Sequence, residues 1–555
     1  MHRCALALMV ALAAGLPAAF AQEEDTLPRE RILELESSFQ DVATKARPST
    51  VAVLGMFGMG SGSVIDPSGL VLTNAHVAAF ARYAAIVFPD GTRLLGRRLG
   101  IYFPRDLALF QLPAGTYPAI ELAAEERLPT GTWVVAYGHP GGLKPDLAPT
   151  FSAGQVTGTV KDVTVGGILD YTGGIETDLA IYSGNSGGPL IDLSGRLVGV
   201  NGAVNPLQGA SYSLTMDIVR SVLPKIRQEK IYLSDDLVID PTDPAIAGLF
   251  EAYDAWSREI AENWIANGWP GEEMPAPGRE GGELERWAGR LLDRIESTRE
   301  RIEDAPIWRG RHAEKREELL ARSFASVFDA TRMRTVRVSG SLGRTLCLGT
   351  VIAPGFVVTK ASLVEKKGTI RIPVGGEETV VATLLATNEE HDLALYQAEG
   401  IVAPAGDSGS EKTEVGSWVL AAGDGGDAIA VGVLSAGARP IPADSASLLP
   451  KALSKIYMKA LLEILRSSNT MDEFADWLEE MQRGQELFEL GNRPRTYPKV
   501  LQHDAPLDVD QMGGPLLDRE GRLLGVNIAR AHHGTTYAVP IEVVREAFGA
   551  HLETR

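Results

Sequence analysis

The chain has 555 residues, of which 45% are apolar, 23% charged and 6% aromatic, so neither a disordered nor a collagen-like chain is in question. Its 72 acidic side chains outnumber 53 Lys and Arg, and the resulting net charge of −19 excludes the basic footprint that nucleic-acid phosphates demand. Two cysteines exclude a disulfide framework and any cysteine-rich metal module, and at roughly 150 residues per domain the length predicts three or four domains.

Met1-His2-Arg3 precedes an apolar run over 5–20 that ends in Ala19-Phe20-Ala21 and turns acidic at Glu23. That three-part build predicts a secretory signal over 1–21, cleaved on export to a periplasmic or extracellular space, with no stable membrane insertion afterwards. Cys4 leaves with the signal, and Cys347 remains as a single thiol. Ile32, Leu35, Phe39 and Val42 then fall at helical spacing. Short β-type runs follow at 50–54, 63–65, 70–72, 84–88, 108–112, 133–136 and 197–200, punctuated by Gly, Pro, Asp and Ser, and predict an all-β barrel or sandwich over 30–228.

Residues 229–320 change character and read as a helical linker. Asp243-Pro244 caps a helix whose Ile246, Phe250, Tyr253, Ile260 and Trp264 fall largely on one face, and Asn267-Gly268 stops it. A charged helical pattern with Leu284, Trp287, Leu291 and Ile295 follows a Pro/Gly-rich break. Short strands return over 321–555, interrupted by a helical insertion at 449–491, where Thr470 to Glu473 form a capping box and Gly491 a C-cap.

The third segment repeats the first. Gly62-Ser63-Val64-Ile65-Asp66-Pro67 matches Gly349-Thr350-Val351-Ile352-Ala353-Pro354, Asp106-Leu107-Ala108-Leu109 matches Asp392-Leu393-Ala394-Leu395, and Trp133-Val134 matches Trp418-Val419. Gly187-Gly188-Pro189-Leu190-Ile191-Asp192 matches Gly513-Gly514-Pro515-Leu516-Leu517-Asp518, and Gly195 to Asn201 matches Gly521 to Asn527. The order is the same throughout, and the one spacing that differs holds the helical insertion. The chain is one fold duplicated.

The first copy carries a serine in a glycine-rich turn, Gly184-Asn185-Ser186-Gly187-Gly188-Pro189-Leu190. Serine needs a base to act as a nucleophile, and glycines allow a turn tight enough for neighbouring N–H groups to form an oxyanion hole. His76 ends an apolar strand in Leu72-Thr73-Asn74-Ala75-His76-Val77, and Asp106 follows 30 residues later. The chain order His, Asp, Ser is that of the chymotrypsin type. With Val134 to Gly142 and Glu176-Thr177-Asp178-Leu179-Ala180 also in order, residues 48–222 resemble the HtrA/Deg-type trypsin-like serine proteases.

The resemblance implies a pair of six-stranded β-barrels per copy, hence two tandem chymotrypsin-like double-barrel domains in a mainly β chain. It implies Ser186 as nucleophile, His76 as general base and then acid, Asp106 as the group orienting His76, and the backbone N–H groups of Gly184 and Ser186 as oxyanion hole. It implies peptide-bond hydrolysis in protein or peptide substrates through an acyl-enzyme, with no metal or organic cofactor. Ala180, six residues before the serine, would lie at the base of the specificity pocket and favour small or aliphatic side chains. That family usually adds a PDZ domain and assembles into oligomers; residues 229–320 read as helices instead, and oligomerisation stays open.

In the second copy Ser362 stands for His76, Asp392 for Asp106 and Met512 for Ser186, so nucleophile and base are gone and a catalytically inactive pseudoprotease is expected, either a structural remnant packed on the first copy or one that binds substrate or controls that copy. Cys347, set opposite Ser61, is expected as a buried packing thiol, and His391 lies on the wrong element to replace the base. The competing reading is a non-catalytic, protein-binding scaffold built from two protease-like folds.

Overall fold

A computed structural model describes residues 26–267, 311–441 and 496–552, apart from short gaps at 56–58, 79–80, 125–126, 166–168, 180, 183, 206–209, 245–246, 341–342, 365–367, 376–377, 404–408, 410–412, 426 and 533–534. The expected signal peptide, the second linker helix and the helical insertion at 449–491 lie outside the described residues.

The first copy forms two rings of strands. In the first ring, Thr50–Leu54 pairs with Met59–Asp66 and Tyr83–Val87, Leu70–Thr73 joins Met59–Asp66 to Leu107–Gln111, and Arg93–Tyr102 closes the circle between Tyr83–Val87 and Leu107–Gln111. The second ring runs Pro189–Asp192, Trp133–Gly138, Thr150–Thr159, Ile175–Thr177, Ala210–Thr215 and Arg196–Asn205, closed by pairing of its first and last members. The second copy forms two closed six-stranded barrels in the same strand sequence. The chain is thus mainly β, with tandem double barrels.

Strands such as Thr50–Leu54 and Trp133–Gly138 are buried at every position, because one face lines a barrel and the other is covered by a neighbouring element. This is why they read as continuous apolar runs rather than alternating ones. Arg93–Tyr102, a strand the sequence did not single out, carries three arginines and two glycines and has only a partial apolar alternation.

The helix Arg29–Ala46 presents Ile32, Leu35, Phe39, Val42, Ala43 and Ala46 inward. Its Phe39 ring meets Trp133 and Phe151 of the first copy at 5.6 and 6.3 Å and Trp418 of the second at 5.4 Å. Trp418 also donates its ring N–H to the Ile32 carbonyl (3.1 Å) and its backbone N–H to Glu36 (2.9 Å). The helix therefore fastens the two copies together as well as capping its own. A second seam joins Thr150–Thr159 to Ala428–Ile441: Asp504 accepts from Val433 N–H at 2.6 Å with one oxygen and from Ala153 N–H at 3.1 Å with the other.

The linker helix begins at Ala247, whose N–H reaches the Asp243 carbonyl at 2.8 Å, and runs to Asn267 with Phe250, Ile260 and Trp264 buried. The helix Arg311–Ser323, continued by Ala325–Thr331, precedes the second copy's first strand as Arg29–Ala46 precedes that of the first.

Candidate active site

Leu70–Thr73 ends in a single helical turn, Ala75–Ala78, which carries His76 to the mouth between the first copy's barrels. Asp106 follows the 3-10 turn Phe103–Arg105 in left-handed backbone conformation (φ 47°). Its carboxylate is fully buried and accepts from His76 Nδ1 at 2.8 and 3.0 Å and from the His76 backbone N–H at 3.0 Å. Burial alone would lower the basicity of the imidazole, but the charge of Asp106 and its hydrogen bond outweigh it, and His76 is held above its ordinary pKa.

Ser186 sits in the turn before Pro189–Asp192, tied to the first barrel by the Ser61 N–H, which donates to the Ser186 carbonyl at 2.8 Å. Its Oγ donates to the Gly202 carbonyl at 3.2 Å and not to His76. The link from serine to base is therefore the one hydrogen bond of the expected triad that this structure does not make; such links are often loose before substrate is bound.

Gly184 has φ +101°, and a Cβ there would come within 2.2 Å of the His139 carbonyl. Only glycine fits. This conformation turns the Gly184 carbonyl toward Ser61 Oγ (2.7 Å) and His139 N–H (3.3 Å). Ser61 Oγ, having given its hydrogen to Gly184, accepts from the His139 N–H at 3.0 Å and faces the His139 ring at 3.1 Å. Burial, with the charges of Arg439 and Lys144, pushes the His139 pKa down to about 3, so this ring is neutral. Ala180 lies outside the described residues.

Tyr171, which sequence patterns did not mark, is fully buried and donates its hydroxyl to Asp106 Oδ2. Burial and the Asp106 charge hold its pKa well above the ordinary value, so it is a neutral donor. It reaches Asp106 past Gly202, where a Cβ would lie 2.3 Å from the Tyr171 oxygen. The glycine in Val200-Asn201-Gly202 was the only sequence signal for this contact.

The second copy keeps the scaffold and loses these features. Gly513 and Gly187 share φ +87° and +82°, and both donate to an asparagine carbonyl, Asn527 at 2.7 Å and Asn201 at 2.8 Å. Asp392 (φ 56°) receives the Ser362 N–H at 2.9 Å and its hydroxyl at 2.7 Å. Lys360, which replaces Asn74, brings its ammonium to 3.6 Å from Asp392 and 2.8 Å from the Ile528 carbonyl. Ile528 occupies the position of Gly202. Met512 is buried among Ala421, Ala430, Ala505 and Leu507. Asp510 stands where Gly184 does and has no left-handed backbone; Val509–Gln511 form a 3-10 turn, and the Met512 N–H is taken by the Val509 carbonyl at 3.2 Å.

One correction concerns Cys347. The expected pairing of Cys347 with Ser61 is off by one: Leu348 donates its N–H to Met512 (3.0 Å) as Ser61 does to Ser186, and Thr359 bonds the Leu348 carbonyl as Thr73 bonds that of Ser61. Register follows the ladder, in which Gly349 matches Gly62. Cys347 itself is buried, contacts Thr359 at 3.1 Å, and has its pKa pushed up to about 11 by burial, an inert thiol. His391 faces Asn388 at 3.1 Å.

Among the described residues no group of three His, Cys, Asp or Glu side chains is arranged to hold a metal ion, and no helix is long and apolar enough to cross a membrane.

The sequence matches the trypsin-like peptidase domain family over residues 60–200 and again over 347–526. It is 33% identical over 187 residues to a protein of Synechocystis sp. named as a serine protease, HhoB, covering 33% of this chain and 44% of that one. It is 32% identical over 213 residues to a protein of Bartonella henselae named as a periplasmic serine endoprotease of DegP-like type, covering 37% of this chain and 41% of that one. The chain thus spans less than half the length of these relatives. The crystal structure of a serine endoprotease from Yersinia pestis aligns with 34% of this chain and 66% of its own at 24% identity, with a TM-score of 0.30. Because the two matched regions take in more than half of its 555 residues, the chain belongs to the trypsin-like peptidase family.

Proposed function

We propose that the protein is an exported serine endopeptidase whose chemistry resides in the first copy, residues 30–228. The observation that carries this reading is the buried Asp106 carboxylate holding His76 through three hydrogen bonds beside the Ser186 turn. In the reaction, Ser186 Oγ turns from the Gly202 carbonyl to His76 Nε2 and attacks the substrate carbonyl as the imidazole takes its proton. The developing oxyanion is met by the N–H groups of Gly184 and Ser186. His76, its positive charge stabilised by Asp106, then returns the proton to the leaving amine, and water repeats the sequence on the acyl-enzyme. The second copy, residues 321–555, lacks nucleophile and base and takes no chemical step.

The apolar Ala180 favours small or aliphatic side chains before the cleaved bond; cleavage mainly after Lys or Arg in a peptide-library digest would overturn that preference. The N-terminal sequence pattern and relatives named as periplasmic support an exported location. The reading is tested by digestion of unfolded casein: cleavage by the full chain, lost in Ser186→Ala, is expected. Binding of casein without cleavage would leave the scaffold reading.

A further inference from the structure

Arg439 lies in the second copy but ends in the first. It extends from Ala428–Ile441 and is among the largest fully buried side chains of the protein, its side chain 1% exposed. One guanidinium nitrogen donates to the Ala148 carbonyl at 3.1 Å and lies 3.5 Å from Asp146; the other donates to Thr150 Oγ1 at 2.8 Å and to Gln502 of its own barrel. All three first-copy partners belong to the end of one loop, residues 139–149, or to the first residue of the strand that follows it.

The other end of that loop supports the turn before Ser186. His139 N–H donates to the Gly184 carbonyl, the His139 carbonyl lies where a Gly184 side chain would be, and a Cβ on Gly138 would strike Asn185 at 2.3 Å. Between the two ends, the buried Lys144 ammonium binds the Pro140 and Gly141 carbonyls at 3.2 and 2.9 Å, and Leu147 N–H binds the Lys144 carbonyl at 2.9 Å. The loop is a braced piece with one end on Arg439 and the other on the oxyanion-hole turn.

Stability alone does not account for an arginine here. Burial lowers its pKa, Asp146 is its one acidic partner among the described residues and is half-exposed, and a second buried cation, Lys144, belongs to the same loop. An apolar side chain of similar volume is generally as stabilising as such a buried charge. What the guanidinium adds is direction, since its planar fork fixes two acceptors at once.

We propose that Arg439 is a positioning residue through which the catalytically inactive copy holds the 139–149 loop, and with it the Gly184–Ser186 turn, in the geometry the reaction needs. The inference rests on the serine-endopeptidase reading of the first copy. It assigns the second copy a function: it completes the active site from behind.

The test compares the full-length protein with Arg439→Met, Arg439→Lys and, as a control at the other seam between the copies, Arg519→Ala, which breaks the 2.6 Å pair with Glu36 of the helix Arg29–Ala46. Steady-state kinetics on a peptide amide and backbone hydrogen exchange are read on each. Expected in Arg439→Met is a fall in kcat of about tenfold or more with KM within about twofold, because a small displacement of oxyanion donors acts on the transition state. Exchange should rise at 139–149 and extend to 184–188. Arg439→Lys, with charge but no fork, should fall between wild type and Arg439→Met, and Arg519→Ala should lower Tm without moving kcat. Unchanged kcat in Arg439→Met, or equal losses in Arg439→Met and Arg519→Ala, overturns the inference while the protease reading stands. A wild type that neither cleaves peptide nor reacts at Ser186 overturns that reading, and this inference with it.

Discussion

The two copies differ least where the fold needs a particular backbone and most where chemistry needs a particular side chain. Gly187 and Gly513 each place a missing Cβ about 2.1 Å from a strand oxygen, Thr73 Oγ1 in one copy and the Leu348 carbonyl in the other, so neither can change without moving two barrels. Asp106 and Asp392 both keep left-handed backbone and a buried carboxylate. Around that shared carboxylate the partners have been exchanged. The first copy surrounds it with an imidazole and a tyrosine; the second surrounds it with a hydroxyl and an ammonium. The same contrast holds at the turn: Gly184 permits a backbone that Asp510 does not adopt. A buried carboxylate must be partnered in either copy, and the two copies partner it differently.

The largest effect should come from the nucleophile. Ser186→Ala should lower kcat on the order of 10⁵-fold or more, while Met512→Ala in the second copy leaves kcat within about twofold; comparable losses in steady-state assays would mean that both copies take part in the reaction.

Next is the turn. Gly184→Ala forces a Cβ against the His139 carbonyl and should remove the left-handed conformation, lowering kcat about 10²- to 10³-fold with little change in KM. A KM effect alone in the same assay would place the turn in substrate binding.

Third is the pH profile. As the proposed general base, His76 would act only when neutral, and Asp106 holds its pKa above the ordinary 6.5, so kcat/KM should rise with pH through a midpoint above 6.5. Tyr171 shares the Asp106 charge. In Tyr171→Phe that charge falls wholly on His76, so the midpoint should move further up, with kcat lower by several-fold up to about tenfold. A midpoint that moves down would contradict the role of the tyrosine hydroxyl.

The smallest effect should be confined to stability. Lys360→Ala removes a partner of the buried Asp392, costing about 1–3 kcal/mol in a denaturant titration. Turnover should be unchanged; a loss of kcat would show that the second copy's vestigial site acts on the first.

What the sequence made legible follows the same division. The duplication was visible because glycines in special conformations and strands buried on both faces tolerate little change, so Gly187-Gly188-Pro189 and Gly513-Gly514-Pro515 persist. His76, Asp106 and Ser186 stood out as residue types in a known order, and the structure brings His76 and Asp106 into contact while leaving Ser186 on Gly202. Tyr171 and Arg439 were not legible. Tyr171 lies 65 residues from Asp106, and Arg439 lies 289 residues from Thr150, and neither sits in a periodic pattern or a motif. Their contacts arise only when the barrels are assembled. The one-residue error at Cys347 has a similar origin, since Ser61 and Leu348 share a backbone position and no chemistry.

The central claim is that one copy reacts and the other does not. Its most direct measurement is labelling of the full-length protein by a fluorophosphonate, with the modified residue located by mass spectrometry. The account predicts a single adduct on Ser186, abolished in Ser186→Ala and absent from Ser362. A folded protein that takes no label, or takes it in the second copy, would contradict it.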